Sequence, residues 1–243
     1  MITITTLNIA DERDIGKILE TLRAIHDKEQ LDILMLQEVE HSRSGDSGVV
    51  RALAGSLGMK YAYVAEDILK EGTAKALATL SRHPIVRSAR IQLRRFDRVF
   101  NPRGRIALAT SITFPFGEIS AFNVHLDTRI NSRQRVEQLN EVFRASSELQ
   151  GPQVIAGDFN SADVFWLGHL VPVPFLERQG NNLRAAMEGY KFSTPFLSTG
   201  PTVKLLPLKL DWIYLKGLRA VSWAVKRVPH SDHHALLVQA MAD

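Results

Sequence analysis

Six times along the 243-residue chain, a short apolar run with strand character meets a polar or ionisable residue at its end. Asn8 closes Ile2–Leu7, and Gln37-Glu38 closes Leu31–Leu36. His125 and Asp127 follow Ile119–Val124, and Asp158 and Asn160 follow Val154–Gly157. Asp211 sits in Leu210-Asp211-Trp212-Ile213-Tyr214, and Ser231-Asp232-His233-His234 precedes the final apolar strand. An acid or imidazole where a buried strand surfaces is expensive unless it is paired, hydrated or metal-bound. One such event is a turn. Six of them, five carrying an acid or a histidine, predict strands that converge on one site at a sheet edge.

The remaining pattern fills in the layers. Ile2–Ile9 alternates Thr with Ile or Leu, as a strand does. Asp11–Asp27 carries Ile15, Ile18, Leu19, Leu22 and Ile25 at helical spacing, with Asp11 as candidate N-cap. Asp32–Gln37 reads as a buried strand and Val49–Leu57 as a helix. Strands are expected near 61–65, 75–81, 84–94, 105–113 and 118–126. The helix Asn131–Leu149 places Val136, Leu139, Val142 and Phe143 on one face. On this helix Arg135 and Gln138 read as surface or intramolecular partners rather than site residues. Gln153–Ala156 is a strand, 161–170 and 182–188 short helices, and 209–216, 218–227 and 235–240 strands. This order predicts an α/β or α+β sandwich. No repeat, low-complexity tract or Gly/Ser/Pro linker interrupts it, so residues 1–243 read as a single domain.

Composition narrows the chemistry. The chain has no cysteine, which excludes disulfides, cysteine–zinc sites, iron–sulfur clusters and thiol catalysis. No apolar run approaches the roughly 18 residues of a membrane span. Met1–Thr5 has neither a basic n-region nor an apolar h-region, so the expected location is cytoplasmic, or secreted if a leader has been removed. Net charge is +4, unevenly spread. From Arg82 to Arg105 eight arginines face one acid, Asp97, and Tyr190–His230 adds seven Lys/Arg against Asp211. Such stretches suit a nucleic acid or another phosphate-bearing partner, or else line the wet face of a strand. Carboxylates with an Asn amide form a hard-oxygen set suited to Mg²⁺ or Mn²⁺. Two histidines far apart in sequence can supply acid and base near neutral pH. Together they suit hydrolysis of a phosphate ester by an in-line water.

Seven short motifs occur in order: Thr6-Leu7-Asn8, Leu36-Gln37-Glu38-Val39, Ser81-Arg82-His83-Pro84-Ile85, Asn123-Val124-His125-Leu126-Asp127, Gly157-Asp158-Phe159-Asn160, Leu210-Asp211-Trp212-Ile213-Tyr214 and Ser231-Asp232-His233-His234. The set resembles the endonuclease/exonuclease/phosphatase superfamily, which has the deoxyribonuclease I-like fold. The resemblance implies a four-layer sandwich: two packed mixed β-sheets flanked by helices, with the site at one end of the sheets. It implies Glu38 as principal Mg²⁺ carboxylate, Asn8 beside it on metal or phosphate, and Asp232 as a further metal carboxylate. Asp158 would orient the attacking water, and Asn160 would bind phosphate oxygens. His233, oriented by Asp211, would be the general base or a phosphate contact. His125 would assist the leaving group or stabilise the pentacovalent state. Arg82 would either touch substrate or shape the sheet edge, and His234 would be structural. Abasic-site endonucleases commonly have Tyr at the His125 position, and an Asp where this chain has Ala10, so the resemblance points away from that branch. Glu66, Asp67 and Glu71 are candidate acid partners of His125.

The expected activity is a Mg²⁺-dependent phosphodiesterase, a nuclease first. A phospholipid (sphingomyelinase-like) or inositol-phosphate or other small phosphate-ester hydrolase is the alternative. A lip formed by Val164–Leu167 and Leu170–Phe175 would suit a phospholipid head group, unless that stretch packs in the core. A non-catalytic binding protein would lack one of the site residues, yet every central position is filled. No obligate protein partner is evident.

Overall fold

The computed structural model describes residues 1–9, 14–41, 48–65, 74–96, 104–174, 179–204 and 208–242. In these residues the chain forms β1 (Ile2–Asn8), α1 (Ile15–Glu29), β2 (Ile33–His41), α2 (Gly48–Leu57), β3 (Lys60–Ala65), β4 (Ala74–Ser81), β5 (Ile85–Gln92), β6 (Ile106–Phe114), β7 (Gly117–His125), α3 (Ser132–Ser147), β8 (Gln153–Asp158), β9 (Val164–Leu167), β10 (Val171–Pro174), α4 (Gln179–Gly189), β11 (Asp211–Lys216), β12 (Leu218–Arg227) and β13 (His234–Ala242). One sheet runs β12-β13-β1-β2-β4-β3, a second runs β11-β8-β7-β6-β5, and β9 and β10 form a separate hairpin. The pairs β1–β2 and β7–β8 are parallel and the rest antiparallel, so both large sheets are mixed.

Strand alternation explains the layering. On β2, Ile33 and Met35 face the second sheet, on the side to which Asn123 and its face-mates Ile119 and Ala121 of β7 point. Leu34 and Leu36 point the other way, into a cluster with Ile18 and Leu22 of α1 and Val50 and Leu53 of α2. Both faces of β2 are therefore buried, which is why the sequence there is a continuous apolar run rather than an alternating one. Leu139, Val142 and Phe143 of α3 and Leu183 and Met187 of α4 close the outer side of the second sheet. The two sheets with helices outside form the expected four-layer sandwich.

Two sequence expectations differ from the structure. Residues 161–170 are not a helix. Val164–Leu167 pairs antiparallel with Val171–Pro174. Gly168 (φ 57°) and His169 (φ 61°) turn between them, and the Leu170 N–H donates to Leu167 O. Two consecutive positive φ values match the right-handed twist of a hairpin, and Val, Phe and Trp favour the strand. Second, Asp11 lies outside the described residues. Asp14 instead caps α1, accepting from the Lys17 N–H. Of the two readings of Arg135 and Gln138, surface or intramolecular partner, the second holds: both are buried on the inner face of α3 and bond within the chain. Among the described residues, no helix is long and apolar enough to cross a membrane.

Gly157 is required by packing. Its φ is +145°, and a Cβ there would lie 1.9 Å from the Val124 carbonyl oxygen, part of the neighbouring backbone. Gly157→Ala must force β7 and β8 apart as well as strain the backbone, and should cost roughly 3 kcal/mol or more. Urea unfolding checks this; a midpoint unchanged from the parent would show that the strands part without penalty.

Candidate functional site

Strand register builds the site. On the second sheet, His125 of β7 is the Cα neighbour of Asp158 on β8, and Asp158 is the neighbour of Asp211 on β11. Three ionisable side chains thus stand side by side on adjacent strands. On the first sheet, Asn8 of β1 pairs in register with Gln37 of β2. Asn8 shares a face with Ile2 and Ile4, which look into the inter-sheet core, so its amide reaches across to the other sheet. Asn8 Nδ2 donates to Asp158 Oδ2 at 3.0 Å and lies 3.5 Å from Glu38 Oε1. Beneath it, Gln37 Nε2 donates to Thr6 Oγ1 and Asn123 Oδ1, and Asn123 Nδ2 donates to the carbonyls of Leu36 and Ala78. This buried amide cluster locks the sheets together directly below the site.

Simple alternation would send Glu38 toward the helices with Leu34 and Leu36. The β2–β4 register shifts between Leu36 and Val39, and Glu38 has φ 58°. This bulge turns the carboxylate into the site, where Oε1 lies 3.7 Å from His125 Nε2. A bulge with a left-handed non-glycine residue is costly, and such strain concentrates at functional positions.

His125 is buried. Its Nε2 also lies 3.7 Å from Asp158 Oδ2, and its Nδ1 is 3.0 Å from Arg105 Nη1. A guanidinium can only donate, so in this pairing Nδ1 accepts and the proton sits on Nε2, facing the two carboxylates. Arg105 is itself buried, with Nε donating to Asp127 Oδ1 at 3.2 Å. Gln138 Nε2 donates to Asp127 Oδ2 and Gln138 Oε1 accepts from the Asp127 N–H. Arg135 donates to the carbonyls of Asp127, Phe159, Thr128 and Ile130. Arg105, Asp127, Arg135 and Gln138 therefore fix both loops that carry His125 and Asp158. Sequence reasoning gave none of them a site role, although one signal was present. Arg135, Gln138, Leu139 and Val142 share one helix face, so two polar residues occupy core-facing spacing. Glu66, Asp67 and Glu71 lie outside the described residues.

On the other side, Asp211 Oδ2 is 2.8 Å from His233 Nδ1, leaving His233 Nε2 4.0 Å from both Asp158 Oδ2 and Asp232 Oδ1. Ser231 Oγ accepts from the His233 N–H and donates to Asn8 O, so the His233 loop is tied to β1. Asn160, at φ 49°, donates its N–H to Asp158 Oδ1 and its Nδ2 to Leu126 O. Burial and then the charge of Asp211 push the Asp158 carboxyl well above the usual carboxylate range. Burial works against a charged His233, but the charge of Asp211, its hydrogen bond, and the charges of Asp158 and Asp232 override it and push the imidazole up to about 10.

The side chains fit a hard divalent cation. Glu38, Asp158, Asp211 and Asp232 lie around the His125 and His233 rings, and Asp211 Oδ1 and Asp232 Oδ1 are buried oxygens without a hydrogen-bond partner among the described residues. Asp158, Asp211 and His233 offer ligand atoms within 4.8 Å of one another. The tight Asp211–His233 hydrogen bond already occupies that trio. Glu38, partly exposed at the mouth, is the better first ligand for an ion that keeps much of its water.

Arg82 is not part of this site. It donates to Asp32 Oδ1 and Gln30 Oε1, beside the start of β2, with His83 Nε2 3.0 Å from the same Asp32 oxygen. Asp32 and Glu38 lie at opposite ends of β2, roughly 20 Å apart at strand rise. Arg82 shapes that far edge. His234 starts β13 with its N–H donating to Thr202 O.

Two outcomes are expected from this geometry. Arg105→Leu leaves Asp127 buried without its cation and should destabilise the fold by roughly 3–5 kcal/mol, read by urea unfolding. Asp211→Asn should lower the pH at which the His233 ring titrates by NMR, because it removes the charge holding that pKa up. The folded value lies above the ordinary 6.5, so the pair's stabilisation is full below about pH 6.5 and fades as pH rises toward 10. The variant should lose that pH dependence, and an unmoved titration would show that Asp211 does not set it.

The family model described as Endonuclease/Exonuclease/phosphatase family matches residues 6–233. An endonuclease/exonuclease/phosphatase family protein from Leptotrichia buccalis has a similar structure, with TM-score 0.77 at 16% identity, covering 99% of this chain and 100% of that one. An endonuclease/exonuclease/phosphatase from Beutenbergia cavernae gives 0.76 at 18%, covering 99% and 71%. The human nocturnin catalytic domain with bound sulfate anion gives 0.71 at 18%, covering 100% and 93%. At these identities the structures speak for the fold alone. No curated protein matches the chain. With the family matched over nearly its whole length, and with the two-sheet fold that its motifs imply, the chain belongs to the endonuclease/exonuclease/phosphatase family of phosphoric ester hydrolases.

Proposed function

We propose that the protein is a Mg²⁺-dependent phosphodiesterase that cleaves its substrate by in-line attack of water. The observation that carries this reading is the convergence of Asn8, Glu38, His125, Asp158 and the Asp211–His233 pair at one end of the two sheets. Glu38, with Asn8 and Asp232, would hold Mg²⁺, and Mn²⁺ suits the same donors. The ion would polarise a phosphoryl oxygen and offset charge on the leaving oxygen. Asp158, held by Asn8 and the Asn160 N–H, accepts a proton from the attacking water. His233, kept cationic by Asp211, contacts the phosphate oxygens through Nε2–H rather than serving as base. His125, held as the Nε2–H tautomer by Arg105, donates toward the leaving oxygen as charge develops there. Asn160 has one amide hydrogen and its side-chain oxygen left for the phosphate after bonding Leu126 O.

Substrate class turns on the arginine-rich stretch that favours a nucleic acid in the sequence. Arg82, Arg87 and Arg94 pair with Asp32, Glu118 and Glu137, and Arg105 is buried. Arg94 and exposed Arg95 remain nearest the site end. Arg98 and Arg103 lie outside the described residues; the paired and buried arginines among the rest offer a phosphate backbone less than their number implies. A specific observation, the β9–β10 hairpin, favours the second reading, a phospholipid head group.

The experiment is hydrolysis of bis-nitrophenyl phosphate with Mg²⁺, Mn²⁺ or EDTA. Glu38→Gln should lose orders of magnitude, with partial recovery at high metal. His125→Ala and His233→Ala should each lose roughly 10²–10⁴-fold, while His234→Ala stays near the parent. Full activity in EDTA, or in His125→Ala, would overturn the reading.

A further inference from the structure

β11 is an edge strand of the second sheet. Among the described residues, its side away from β8 meets a single bridge, Leu215 to Ser193. Its first residue is Asp211, which orients His233. At that end the side chain of Thr202 stands in for a neighbouring strand. Thr202 is buried, and its Oγ1 accepts from the Leu210 N–H at 3.0 Å and from the Asp211 N–H at 3.2 Å. The Thr202 N–H donates to Leu208 O, and the Thr202 carbonyl accepts from the His234 N–H at 2.7 Å. Val203 bridges His233, and the Lys204 N–H donates to Asp232 O. Thr202 therefore holds Asp211 by its own N–H and His233 through the next residue. The segment before it is gripped as well. The Lys209 ammonium donates to the carbonyls of Phe196, Leu197 and Thr199 and stands 4.5 Å from the Trp212 ring centre.

We propose that Thr202 is a positioning residue that sets the Asp211–His233 pair. The inference rests on the phosphodiesterase reading and deepens it by naming the group that aims His233. Asp211 holds His233 through Oδ2, while its Oδ1 has no hydrogen-bond partner among the described residues. The carboxylate is therefore not tethered from its far side. Its place follows from the backbone of Leu210 and Asp211, and so from the hydroxyl that both N–H groups share. Valine has nearly the shape of threonine but no acceptor, and would leave two buried N–H groups unpaired. The start of β11 must shift to pair them again, and Asp211 and the His233 ring shift with it. A misplacement of about 1 Å at a reacting group can lower a rate roughly 10²-fold. The loss belongs to the rate rather than to binding, because Thr202 is buried behind the pair and acts on substrate only through it.

The test uses the full chain and two readouts. The first is hydrolysis of bis-nitrophenyl phosphate with Mg²⁺. Thr202→Val should lower kcat roughly 10–10²-fold with KM nearly unchanged, and Thr202→Ser, which keeps the acceptor, should restore most of it. Thr110→Val is the control for lost stability alone. It removes a buried hydroxyl bond elsewhere in the same sheet, to Ala121 O, and should keep the parent kcat. The second readout needs no activity: the NMR resonance of the His233 Nδ1 proton, which its hydrogen bond to Asp211 moves downfield. It should shift upfield in Thr202→Val and return in Thr202→Ser. Should Thr202→Val not fold, Thr202→Ala carries the same comparison. A parent-like kcat in the folded variant, an equal loss in Thr110→Val, no recovery with Ser, or an unmoved Nδ1 proton each overturns the positioning role. If the parent hydrolyses no phosphate ester, the phosphodiesterase reading falls, and the Nδ1 resonance alone decides whether Thr202 sets the pair.

Discussion

Asp158 sets the terms for the rest of the site. A carboxylate this buried, with Asp211 on the adjacent strand, is costly in a low-dielectric interior. The fold offsets that cost from three directions: hydrogen bonds from the Asn8 amide of the other sheet and the Asn160 N–H of its own loop, and the charge of the His233 ring, 4.0 Å away in the loop before β13. Each of these groups must itself be fixed. Ser231 ties the His233 loop to Asn8 O, and Arg135 ties the Asp158 loop to the Asp127 loop. The crowding of acids that penalises the free protein is also what would attract a cation there, so stability and the proposed chemistry pull in opposite directions at one point.

Backbone strain is spent at the same place. Glu38, Gly157 and Asn160 all have positive φ, and all three border the Asp158 carboxylate or carry a site side chain. Regular strands would bring Glu38 out on the helix side and leave no room between β7 and β8 for the turn at Asp158. The sheets supply register and rigidity, and three local departures from sheet geometry aim the groups. The amide cluster of Gln37, Asn123 and Thr6 makes those departures sustainable, because it pins the two sheets just beneath them.

The layers were legible in the sequence because they follow from period-2 and period-3.6 patterns. The site was legible because ionisable groups at strand ends are rare for a physical reason. What escaped were pairings between distant positions. Nothing local in Arg105 says that it is buried against Asp127 and His125, and nothing local in Arg82 says that Asp32, at the far end of β2, holds it. The helix expected over 161–170 failed because a short apolar run does not by its spacing separate a helix from a strand, although Val, Phe and Trp favour the strand. Only the two consecutive positive φ values at Gly168 and His169, which a sequence does not print, choose the hairpin.

The same logic limits what net charge says about a partner. Eight arginines in 24 residues look like a polyanion track when counted along the chain. Arg98 and Arg103 lie outside the described residues, and several of the others are spread in space. Arg87 lies across the sheet paired with Glu118, Arg94 reaches Glu137 on α3, and Arg105 is interior. A phosphate backbone responds to charge it can approach, and an arginine already paired contributes little to counterion release. The three exposed apolar groups of the hairpin carry no such discount, since none of them is covered among the described residues. A modest apolar feature in a fixed place at the rim therefore weighs more on substrate class than a larger charge that the protein has spent on itself.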